Sequence, residues 1–114
     1  MFGSPRFIRN YLASGGDVNT PIDDRYYLLI AGASESAPES FELLLSAEAD
    51  VIVVDDNGET ALCAAVANQN REIVALLIEA GAISRQRCTN SKTPLAVAKR
   101  LPDKEIVKLI KRAK

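Results

Sequence analysis

The sequence predicts an all-α solenoid of stacked helix pairs, and three observations predict it. Residues 55–82 read as turn, helix, loop, helix, turn: Asn57-Gly58 supplies a tight turn, Thr60 caps the helix that follows, and Gly81 stands where a helix ends on a left-handed residue. The second helix of this unit gathers Ile73, Val74, Leu76, Leu77 and Ile78 on one apolar face. These features then return at a spacing of 33 residues: Thr60-Ala61-Leu62 as Thr93-Pro94-Leu95, Ala65 as Ala98, Glu72-Ile73-Val74 as Glu105-Ile106-Val107, and Leu76-Leu77 as Leu109-Ile110. Backwards, Leu76 and Leu77 fall on Leu43 and Leu44, Leu62 on Leu29, Glu72 on Glu39, and Ala49-Asp50-Val51 on Gly16-Asp17-Val18. A unit this small has no means of burying its apolar face alone, so the copies must cover one another.

Taken in order, Ser4-Pro5 opens the first helix, with Ser as N-cap and Pro at the first helical position, and Phe7, Ile8, Tyr11 and Leu12 share a face. In the 33-residue frame this is a lone second helix, so residues 1–19 form a half repeat; an end facing water and a point inside a longer array both fit it. Residues 20–52 form the next repeat, with a turn over 20–25, a short helix from Tyr27 to Ser34, and a second helix starting at Pro38 with Phe41, Leu44 and Leu45 in its core. The β-branched-rich run 51–54 either extends a hairpin arm or forms a short strand pair. Residues 53–85 are the repeat described above. Residues 86–114 close the chain: Thr93 caps a helix that ends before Pro102, and a second helix over 103–113 turns Ile106, Val107, Leu109 and Ile110 inward. Lys99 and Lys111 put charge where a further repeat would dock, which marks a C-terminal capping repeat.

Composition narrows the function. A chain of 114 residues is one domain, large enough to bury roughly 65% of its unfolded surface. No apolar run approaches the ~20 residues of a membrane helix, and the first ten residues lack a signal-type apolar core. Two cysteines 25 residues apart make neither a disulfide framework nor a metal cluster, so Cys63 and Cys88 are expected as unlinked thiols in a reducing, cytoplasmic setting. With no histidine, no Ser/His/Asp or Cys/His set can form, and no glycine-rich phosphate loop is present. The stretch 55–59 fails as a calcium loop, because aligning Gly58 puts Val53 and Ala64 at the first and last ligand positions. The expectation is a protein without catalysis, cofactor or metal.

The 33-residue period, Thr93-Pro94-Leu95, Ile73-Val74 followed by Leu76-Leu77, and Gly81-Ala82 together resemble the ankyrin repeat family. The resemblance spans nearly the whole chain. It implies an ankyrin-type helical solenoid of about three and a half repeats, with β-hairpin-like turns along one side and a concave surface that binds another protein. Three departures stand out. Ile30, Cys63 and Ala96 occupy the position where the family has His after Thr-Pro-Leu, which implies less rigid hairpins. Arg25 replaces the turn glycine, and Tyr27 the capping threonine, of the second repeat.

The resemblance also implies where a partner sits: hairpin tips and the exposed side of the first helices, on the concave face. Carried over by repeat position, these are Asp23, Asp24, Tyr26, Ser34 and Glu35; then Asp56, Asn57, Glu59, Ala67 and Asn68; then Thr89, Asn90, Lys92, Arg100 and Leu101. The first two groups are acidic. Residues 1–84 hold 13 Asp/Glu against 4 Lys/Arg, and residues 85–114 hold 2 against 10. A monomer binding a protein with a basic contact region, with Tyr26 as aromatic anchor, is therefore expected. A small inhibitor or immunity-type protein that neutralises an enzyme or toxin is an alternative. Polyanion binding through the basic last repeat is another, although no interleaved aromatics point to nucleic acid.

Overall fold

The structure is a computed structural model that describes residues 4–21, 27–34, 38–82, 88 and 92–112. Among them are seven helices: α1 (Pro5–Ala13), α2 (Leu28–Ser34), α3 (Pro38–Ser46), α4 (Ala61–Ala67), α5 (Arg71–Glu79), α6 (Pro94–Lys99) and α7 (Lys104–Arg112). Their starts follow from local chemistry. Ser4, Thr60 and Thr93 each accept the N–H of the residue three further on, at 3.2, 3.1 and 3.2 Å, and Asn70 Oδ1 does the same for Ile73 at 3.0 Å. No strand occurs among the described residues. The 51–54 run is a turn at 51–52 followed by irregular backbone, with the Asp50 carboxylate accepting the Ile52 N–H at 3.1 Å.

The helices form two rows. Helices α1, α3, α5 and α7 pack in succession, and α2, α4 and α6 line up beside them. Four helices at about 10 Å spacing account for the longest dimension of 40 Å. Two ladders run through the long row, each stepping by 33 residues: Ile8, Phe41, Val74 and Val107, and Tyr11, Leu44, Leu77 and Ile110. Ile8, Phe41, Leu44, Val74 and Leu77 are 0% exposed, so the core crosses every unit boundary. In the other row the equivalent positions Gly32, Ala65 and Ala98 are small and buried, which lets α2, α4 and α6 approach the helices behind them.

Three second helices, α1, α3 and α5, end alike. Gly16, Ala49 and Ala82 donate their N–H to the carbonyls of Tyr11, Leu44 and Leu77 at 2.9, 3.0 and 3.0 Å, the pattern of a helix closed by a left-handed residue. That residue is Gly15 (φ 88°), Glu48 (φ 65°) or Gly81 (φ 94°). Only Glu48 has a side chain to strain there.

Polar bonds stitch neighbouring units. Asn19 Oδ1 accepts the Asp50 N–H at 2.6 Å, and Asn68 Nδ2 donates to the Ala33 and Ser34 carbonyls at 3.3 and 2.9 Å, satisfying the end of α2. Arg9 pairs with Glu39 at 3.0 Å, and Arg71 with Asp103 at 2.6 Å. The Arg71 guanidinium, by its hydrogen bond, holds the Asp103 carboxyl below the ordinary carboxylate range against the opposing effect of burial; Asp103 in turn keeps Arg71 charged to higher pH.

Three outcomes follow for stability. Leu77→Ala, at a ladder position without exposed surface, should cost about 3 kcal/mol in denaturant unfolding, whereas exposed Lys111→Ala should stay within about 0.5 kcal/mol of the parent. Glu48→Gly should raise stability by about 0.5–1 kcal/mol by relieving the left-handed residue, and a loss would contradict that strain. Asp103 has a lowered folded pKa, so its contribution is complete above the usual carboxylate pKa and lost as pH falls through the depressed value. The stability gap between the parent and Asp103→Asn should therefore be flat above about pH 5 and close below about pH 4.

Candidate functional site

The turn of the third unit is built by one carboxylate. Asp55 Oδ1 accepts the N–H groups of Asn57 and Glu59, both at 2.9 Å, while the Asp55 N–H donates to the Glu59 carbonyl at 3.0 Å and Gly58 takes φ 80°. Asp55 is thereby used up in holding the backbone. Asp56 and Asn57 stand exposed at the tip, and Glu59 is half-buried on the returning arm. Thirty-three residues on, the same closure recurs: the Cys88 N–H donates to the Lys92 carbonyl at 2.7 Å.

At this second turn the cysteine expectation fails. Cys63 and Cys88 form a disulfide with Cα atoms 5.7 Å apart, so neither thiol is free. Spacing along the chain hides the pair because stacking is what joins it. Cys63 lies in the first turn of α4, and Cys88 opens the turn of the following unit, which returns to the start of the preceding first helix. Cysteine usage consequently no longer argues for a reducing compartment. Cys63, one of the three residues where the family has His, is thus tied covalently to the following unit.

The other described candidates lie at the opposite ends of the first helices. Asn68 follows α4 and Arg100 follows α6, both exposed, about 10 Å along the helix from the turns. The Asn68 amide nitrogen is already bonded to the end of α2. Between the two ends the body of α4 is closed, with none of residues 61–66 more than 3% exposed, and Ala67 is the first to emerge. Ser34 and Ala67 are exposed, whereas Lys92 and Leu101 are half-buried. Asp23, Asp24, Tyr26, Glu35, Thr89 and Asn90 lie outside the described residues.

A shallow depression of about 410 Å³ opens between the loops at the far side, lined by Gln69, Arg71, Pro102, Asp103, Lys104 and Glu105. Its central charges, Arg71 and Asp103, satisfy each other. Among the described residues no group of three His, Cys, Asp or Glu side chains is placed to hold a metal ion, and no helix is long and apolar enough to cross a membrane.

Comparison with known proteins matches residues 28–114 to the family model for ankyrin repeats, in three copies. No curated protein matches the chain. Repeats of this family generally serve as protein–protein interaction modules and are typically not enzymes. Matched over most of its length, and folded into helix pairs that stack in a row, the chain belongs to the ankyrin repeat family.

Proposed function

We propose that the chain is a non-catalytic monomeric module that binds one protein partner, and that the partner presents a basic contact region to the turn tips and first-helix ends. The observation that carries this reading is the third-unit turn, where Asp55 fixes the backbone and Asp56 and Asn57 are held out to solvent. A tip already ordered loses little conformational freedom on binding. The excess of nine negative charges over residues 1–84 adds a field that draws a cationic surface. The unit boundaries proposed with it are 20–52, 53–85 and 86–114, after a half repeat.

Polyanion binding through the last unit is less well supported. Lys104 Nζ donates to the Lys99 and Leu101 carbonyls, both at 3.0 Å, and Lys108 reaches Glu105 at 3.3 Å, so two cations of α7 already serve the fold. The discriminating experiment captures a partner from the source lysate, identifies it by mass spectrometry and titrates the purified protein by calorimetry. Asp24→Lys combined with Asp56→Lys should weaken binding at least tenfold, with the loss shrinking as salt rises; unchanged affinity sinks the acidic-edge reading. A captured enzyme or toxin that loses activity on binding would identify the partner class as that of a neutralised target.

A further inference from the structure

We infer that the Cys63–Cys88 disulfide is a redox latch on the C-terminal unit, one that holds α6 and α7 in register when oxidised and releases them, leaving the rest of the array folded, when reduced. Two observations carry it. The bond crosses a unit boundary, joining α4 to the turn that leads into α6. The unit it secures is also an end of the stack: α6 packs on α4 and α7 on α5 from one side only, and its buried side chains are Pro94, Ala98, Ile106 and Ile110, against an entirely buried 61–66 stretch in α4. In a linear stack the end unit opens first, so a tie at that boundary acts there and hardly elsewhere.

The two sulfurs are unequally placed. Cys63 is 3% exposed and Cys88 is half-buried, so a dithiol reductant attacks Cys88. The incoming thiolate bonds to Cys88 Sγ; the bond to Cys63 breaks, and Cys63 leaves with the electron pair and takes up a proton. The second thiol of the reductant then closes on the first, releasing the Cys88 thiol and leaving the reductant as a disulfide, two electrons poorer. The part set free bears the ten Lys and Arg residues of 85–114, including Lys92 and Arg100. Redox state thus decides whether the basic unit is held beside the acidic turns.

Hydrogen–deuterium exchange of the full chain, with and without dithiothreitol in native buffer at pH 8, tests the latch. Thiol titration should find two thiols after reduction, with exchange in α6 and α7 faster by roughly 10- to 100-fold and α1 to α5 unchanged. That range follows from unpinning Cys88, which the disulfide holds at the end of a five-residue connection from Ala82. The double variant Cys63→Ser/Cys88→Ser should reproduce the pattern without reductant, and because the parent is itself measured reduced, the test survives poor folding of the variant. A bond that yields only in denaturant, a rise spread over all helices, or no rise in α6 and α7 would each overturn the proposal.

Discussion

Burial across unit boundaries is the constraint on which the rest of this structure depends. Leu77 contributes to the fold only because Leu44 precedes it and Ile110 follows it in the same row, and each such side chain is worth about 1.5–3 kcal/mol when fully withdrawn from water. A helix pair taken alone would leave one side of that ladder in solvent. The 33-residue period is therefore a packing requirement, since any shift in it would carry the ladder residues off the shared face. The small residues of the other row follow from the same demand, because bulk at Gly32, Ala65 or Ala98 would push the first helices off the ladder helices.

The closure after α1, α3 and α5 converts that requirement into geometry. One left-handed residue after each of α1, α3 and α5 reverses the chain, at Gly15, Glu48 and Gly81, and identical six-residue bonds follow it. Side-chain size is balanced against the next position. Where the ladder uses Leu44 or Leu77, the chain continues with Ala49 or Ala82; where it uses Tyr11, the chain continues with Gly16, and a Cβ there would lie 2.5 Å from the tyrosine ring. The Tyr11 hydroxyl then donates to the Asp17 carbonyl at 2.9 Å, so the ring that excludes the methyl also ties down the exit of the loop.

What could be read from the sequence is what local chemistry or the period determines. The caps at Ser4, Thr60 and Thr93, the prolines that start α1, α3 and α6, and Gly81 each act within a turn of their own position. Features that exist only after stacking could not be read. The Cys63–Cys88 pair is one, because 25 residues has no meaning until one unit returns against the last. The bond from Asn68 to α2 is another, and it makes a residue picked for partner contact also a cap for the preceding unit. Glu48 was hidden for a different reason: glutamate has no leaning toward the left-handed region, and only its place in the repeat demands it. Of the candidate contacts, the sequence separates the tip residues from the core correctly at Asp56 and Asn57, but gives no sign that the α4 face between tip and helix end is closed.

That closed face bears on how a partner can be gripped. With residues 61–66 withdrawn into the core, the third unit offers the tip at Asp56 and Asn57 and the end at Ala67 and Asn68, separated by a stretch with almost nothing to touch. On the proposed reading, affinity at this unit comes from two contacts at the ends of a short strut. The residues that make the strut are not those that display it: Asp55, Thr60 and Cys63 hold backbone, whereas Asp56 and Asn57 leave the backbone bonds of the turn to Asp55. If the tip meets the partner as proposed, specificity changes by substitution there without disturbing the bonds that set its position, while a change at Asp55 alters both at once.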